Sequence, residues 1–72
     1  GLDGYKEIKR IIKRSKDLLK LNGKLIIEIG DKQRNQTVIL LRKNGFYVNK
    51  VSKDLSGKDR CIISTRIYNE QF

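Results

Sequence analysis

The sequence predicts a small α/β unit with elements in the order α-β-α-β-β. Three observations carry this reading. Lys24-Leu25-Ile26-Ile27-Glu28-Ile29 is a nearly unbroken apolar run that ends abruptly in Gly30 and is followed by the polar Asp31-Lys32-Gln33. A strand buried on both faces reads this way when it hands over to a helix. Ahead of it, apolar or small residues recur in steps of three and four, the helical period. Two Asn-Gly pairs, Asn22-Gly23 and Asn44-Gly45, supply helix stops just before predicted strands.

The first helix starts near Asp3, whose carboxylate is placed to accept from the free amides of the first turn as an N-cap. Tyr5, Ile8, Ile12, Ser15 and Leu19 form one face, with Ile11 and Leu18 beside them, while Lys6, Lys9, Arg10, Lys13, Lys16 and Lys20 form the other. Gly23 ends this helix because glycine tolerates the left-handed conformation after a helix, and Lys20 suits the negative end of the helix dipole. Strand one covers about Lys24 to Ile29. Asp31 is placed as the cap of a second helix reaching about Lys43, with Thr37, Val38 and Leu41 as a narrow buried stripe flanked by Ile39 and Leu40. Phe46 to Val51 alternates loosely, as a strand open to water on one face does. Asp54 to Asp59 is a loop turning at Ser56-Gly57. Arg60 to Ile67 is a third strand with Cys61, Ile63, Thr65 and Ile67 on one side, and Tyr68 to Phe72 reads as a frayed end. The helix between the first two strands implies a crossover, and the short last loop implies antiparallel pairing of the last two.

Length and composition bound the possibilities. The 72 residues make one small unit, residues 1–72, with a modest core. There is no histidine, so the commonest general base and zinc ligand is missing. The single Cys61 excludes an internal disulfide, which fits a reducing, cytoplasmic setting. No apolar run approaches the roughly 20 residues of a membrane span. Gly1-Leu2-Asp3 carries no signal-peptide pattern, and a first residue other than methionine reads as a piece of a longer protein. The net charge of +9 comes from 17 basic and 8 acidic residues. Such a balance favours acidic partners, but lysines spread along the whole chain read as a solvated surface. Both faces of strand one ask for burial, and two helices cover only one face of a three-stranded sheet. The expectation is either a missing partner domain or self-association through an open strand edge.

Several segments together resemble the C-terminal part of the HemK-type release-factor glutamine N5-methyltransferases. These segments are Gly1-Leu2-Asp3 with Tyr5 and Ile8, Leu18-Leu19-Lys20 with Gly23, and Leu25-Ile26-Ile27-Glu28-Ile29-Gly30 with its Glu-x-Gly. Gln33, Asn44-Gly45-Phe46 and the block Lys53-Asp54-Leu55-Ser56-Gly57-Lys58-Asp59-Arg60 complete the likeness, which runs to about Arg66. It implies a partial class I methyltransferase (Rossmann-like) sheet whose third strand inserts antiparallel between the other two. It also implies a parent enzyme that transfers a methyl group from S-adenosylmethionine to the glutamine side-chain amide of a peptide-chain release factor.

The chain departs from that pattern in instructive ways. Leu21-Asn22-Gly23 stands where the family usually has Pro-Gly-Gly. A chain without proline cannot contain the family's Asn-Pro-Pro-Tyr motif, and the glycine-rich cofactor loop is absent as well. Leu25 to Gly30 imitates that cofactor loop, but Asp31, Lys32, Gln33 and Arg34 follow where further glycines would let a ligand approach. The sequence therefore offers no catalytic, cofactor-binding or metal residue, and the isolated fragment is expected to be inactive. Glu28 and Gly30 stand at the C-terminal end of the buried strand, where open α/β sheets bind ligands, and are the candidate substrate-facing residues. Asp59 and Arg60 read as a salt bridge pinning their loop, and Cys61 as a small core residue. The alternative is a small basic nucleic-acid-binding or self-associating domain. Only Tyr5 interleaves the basic helix, so nucleic acid is the weaker partner.

Overall fold

Apolar residues from all five elements converge on one face of a three-stranded sheet. The computed structural model describes residues 2–30 and 32–67. Its elements are α1 (Leu2–Leu18), β1 (Lys24–Glu28), α2 (Arg34–Lys43), β2 (Phe46–Lys53) and β3 (Asp59–Arg66). The sheet order is β1-β3-β2, with β3 antiparallel to both neighbours. β1 and β2 therefore run in the same direction and are linked through α2.

The register divides the sheet into two unlike faces. Ile27, Ile62 and Val51 lie side by side across the three strands, next to Leu25, Ser64 and Val48. This face meets Ile8 and Ile12 of α1 and Leu41 of α2, and with Ile29 and Phe46 they form the buried core. Each fully buried side chain of this kind contributes about 1.5–3 kcal/mol. The other face carries Ile26, Ile63 and Lys50 in one row and Glu28, Cys61 and Ser52 in the next. No element among the described residues covers it, and Ile26 is 62% exposed. β1 is thus buried on one face only, although its composition asks for two.

Two polar residues lie on the helix-covered face of β3 and are fully satisfied. The Ser64 hydroxyl donates to the Leu25 carbonyl at 3.0 Å. Arg66, only 9% exposed, donates from Nε to the Lys16 carbonyl at 2.9 Å and from Nη1 to the Ile67 carbonyl at 3.4 Å. Its guanidinium sits at the C-terminal end of α1, where the helix dipole is negative. Its main chain binds the α1–β1 turn as well, with Asn22 N–H donating to its carbonyl and its own N–H donating to Gly23 O.

The element ends correct several sequence readings. α1 begins at Leu2, so Asp3 lies within the helix rather than ahead of it. In the following turn the left-handed residue is Asn22, at φ 73°, and not Gly23. Gly23 is required for another reason: a Cβ there would meet the Lys20 carbonyl at 3.0 Å. Asp31 lies outside the described residues, and the cap position of α2 is taken by Gln33. Thr37 and Leu41 are buried along α2, Val38 and Leu40 half-buried and Ile39 exposed. Gly45 takes the expected left-handed conformation at φ 81°. β2 runs to Lys53, beyond Val51, with register shifts between Val48 and Lys50 and between Ser52 and Lys53. Tyr68 to Phe72 lie outside the described residues.

The loop between β2 and β3 is closed by one carboxylate. Asp54 Oδ1 accepts from the main-chain N–H of Ser56 at 2.9 Å and of Lys58 at 3.0 Å, and Oδ2 accepts from Arg60 Nη2 at 3.0 Å. The ion pair that pins the loop is therefore Arg60 with Asp54; the Asp59 side chain lies outside the described residues. These bonds, that from the Lys58 N–H foremost, hold the Asp54 carboxyl below its ordinary value of 3.8.

Two outcomes follow for stability. Arg66→Ala removes the guanidinium from the end of α1 and leaves the Lys16 carbonyl without its donor, a loss of about 2–4 kcal/mol; Arg66→Lys recovers part of it, and urea unfolding of the three proteins measures both. For Asp54 the folded carboxyl has the lower pKa, so its stabilisation is present above pH 3.8 and is lost as pH falls through the depressed value. Asp54→Asn is expected to flatten that part of the acid unfolding curve, read by circular dichroism.

Candidate functional site at the β1 edge

The C-terminal end of β1 opens onto a groove of about 440 Å³ between that strand and α1. α1 contributes Glu7, Ile8 and Ile11, β1 contributes Ile26, Ile27 and Glu28, and Gln33 closes the end. The floor is apolar, and the two carboxylates and one amide are its polar groups. β1 is an edge strand, so the groove runs beside main chain that has a neighbour on one side only.

Glu28 lines this groove and is exposed, with no ion-pair partner among the described residues. Gly30 is brought to the same end but is engaged locally. Its N–H donates to Gln33 Oε1 at 2.6 Å, and its carbonyl accepts from the Gln33 N–H at 3.2 Å. A Cβ at Gly30 would meet Gln33 Oε1 at 3.1 Å. The Gln33 carbonyl in turn accepts from the Thr37 hydroxyl at 2.8 Å. A side chain at residue 30 would therefore crowd the end of the flexible Gln33 side chain, which would have to give by a few tenths of an ångström.

That turn does not fit S-adenosylmethionine. A cofactor loop offers free main-chain donors and the space left by missing side chains. Here the amide side chain of Gln33 occupies that space and takes the Gly30 donor. The described residues hold no cluster of metal-ligating side chains.

The remaining candidates are dispersed. Lys6, Lys9, Arg10, Lys13 and Lys20 are all exposed, and Arg10 forms an exposed ion pair with Glu7 at 3.5 Å. Tyr5 is half-buried and stands apart from that charged face. Cys61 is half-buried on the uncovered sheet face between Glu28 and Ser52, so it is not a core residue. Sequence reasoning missed Arg66 and the contribution of Ile11 to the groove. Alternation along β3 was the available signal, because it places Arg66 on the same side as Ile62 and Ser64. No helix among the described residues is long and apolar enough to cross a membrane.

Comparison with known proteins gives this geometry a context. No family model matches the chain, and no solved structure matches it. Curated relatives do. A release factor glutamine methyltransferase of Clostridium botulinum is 40% identical over 68 residues, covering 94% of this chain and 24% of that protein. One from Clostridium acetobutylicum is 33% identical over 66 residues, 92% of this chain and 23% of that protein. A bifunctional methyltransferase of Rickettsia felis is 37% identical over 65 residues, 90% of this chain and 12% of that protein. The chain thus spans between about an eighth and a quarter of the length of these relatives. Over that span it is a homologue of the HemK-type release factor glutamine methyltransferases and matches their C-terminal segment.

Proposed function

We propose that this chain is the sheet-completing C-terminal unit of a class I, S-adenosylmethionine-dependent methyltransferase that methylates the glutamine side-chain amide of a peptide-chain release factor. The observation that carries this reading is the 33–40% identity to proteins named for that activity, extending over nearly the whole chain. The uncovered sheet face supports it, since a strand as apolar as Leu25-Ile26-Ile27 belongs between two layers. Its role is structural. The unit supplies three strands of a larger Rossmann-like sheet and a wall beside the substrate, with Glu28 and Gly30 at that wall. S-adenosylmethionine is held by other parts of the parent enzyme, because Gln33 fills the one turn here that imitates a cofactor loop. Methyl transfer depends largely on positioning, so the 72 residues alone are inactive.

A chimera tests this. The matched segment of the Clostridium botulinum relative is replaced by these 72 residues, and transfer of labelled methyl from S-adenosylmethionine to its release factor is followed. Activity within about tenfold of the parent is expected, roughly 1.4 kcal/mol of transition-state stabilisation. A folded chimera without activity overturns the reading, as does turnover by the 72-residue chain alone. In an active chimera, Glu28→Gln is expected to raise KM for the release factor with kcat little changed; an unchanged KM removes Glu28 from the substrate wall.

A further inference from the structure

We propose that Leu55, held out on the β2–β3 loop, inserts into an apolar pocket on the release factor and so helps to fix which protein the parent enzyme accepts. This rests on the methyltransferase reading above and names a substrate contact for it. The place of the loop comes first. β1 and β2 run in the same direction, and their C-terminal ends are Glu28 and Lys53. The loop leaves β2 at Lys53 and enters β3 at Asp59. It therefore stands at that shared end, where open α/β sheets bind ligands. β3 also ties it to the candidate wall: Cys61 lies opposite Glu28, and Ile29 N–H donates to Arg60 O at 2.9 Å. Strand order and direction within the chain set this placement.

The loop is bonded so as to hold one shape. Besides the bonds that the Asp54 carboxylate accepts from Ser56, Lys58 and Arg60, Asp54 N–H donates to Lys58 O at 2.9 Å and Gly57 N–H donates to Asp54 O at 3.0 Å. Among these fixed points the Leu55 side chain is fully exposed and takes no part in the core. Two residues suffice to turn one antiparallel strand into the next, so joining β2 to β3 does not account for the loop. A scattered exposed leucine calls for no explanation. One on a pre-ordered loop at the ligand end of a sheet does. Such a loop has little conformational freedom left to lose on binding, so the apolar area it buries goes largely into affinity.

The shape points to a protein as the occupant. Small ligands are bound in concave sites that cover most of their surface, and a side chain standing clear of its neighbours lines no such site. It suits a protrusion that fills a pocket on a second protein, as interface anchors do. The layer that the uncovered sheet face asks for would lie along the strands, against Ile26 and Ile63, whereas Leu55 stands beyond their ends.

The chimera described above carries the test. Leu55→Ser is expected to raise KM for the release factor by about tenfold or more, the effect of leaving an apolar pocket unfilled, with kcat little changed. Leu55→Met, apolar and of similar volume, is expected to keep KM within about threefold. Asp54→Asn leaves Leu55 in place but loosens the loop, and is expected to raise KM in the same direction. Thermal unfolding is measured alongside, because a fully exposed side chain can be changed without loss of stability. An active chimera whose KM ignores Leu55→Ser overturns the proposal alone. So does a loss that appears in kcat, or one that Leu55→Met does not recover. A lowered melting temperature for Leu55→Ser sets the leucine against the parent enzyme's own layers and overturns it as well. A folded chimera without activity removes the methyltransferase reading, and this proposal with it.

Discussion

The Arg66 guanidinium under the last turn of α1 joins three parts of the chain that have no other covalent or local reason to meet. Its side chain holds the Lys16 carbonyl, and its main chain holds Asn22 and Gly23 on both sides. β3 is the central strand, so fixing its end against α1 also fixes β1, which among the described residues pairs with β3 alone. A buried cation is costly unless its donors are met. Here the negative end of a helix and two carbonyls meet them. Glu7, Ile8 and Ile11 of α1 and Ile26, Ile27 and Glu28 of β1 then line the groove between them.

The fold was legible where local periodicity and tertiary demand agree. Ile8 and Ile12 sit three and four residues from other apolar positions and are buried. Val38, Leu40 and Leu41 pack as a helix stripe does, and Asn44-Gly45 ends α2 as its composition dictates. Where the reading failed, a nonlocal contact decided the matter. Nothing near Arg66 announces the carbonyl it binds 50 residues away. Asn22 takes the left-handed conformation that glycine usually takes because the Lys20 carbonyl crowds the next position and reserves it for Gly23. Cys61 was misplaced because alternation gives two faces but does not say which one the helices choose.

The candidate site divides in the same way. The place of Glu28 at the C-terminal end of β1 was readable, since the apolar run stops just beyond it at Gly30. The Gln33 amide folded onto Gly30 was not, because a single glutamine in a polar stretch carries no periodic signal. That contact converts an apparent ligand loop into a self-satisfied turn. The same residues thus look like a cofactor site in one dimension and behave as a helix entry in three.

The strand order β1-β3-β2 has a consequence for synthesis. Lys24 meets Thr65, 41 residues later in the chain, so β1 leaves the ribosome long before β3, its partner among the described residues, exists. At the usual elongation rates this delay is roughly 2–8 s, during which Leu25-Ile26-Ile27 is an unpaired, aggregation-prone run. Opposite charges bracket that run, Lys24 before it and Glu28 after it. Neighbouring nascent copies stacking in parallel register would set lysine on lysine and glutamate on glutamate, each pair unfavourable. The flanking charges therefore act as gatekeepers on the polysome, guarding the strand against cross-β stacking until β3 arrives.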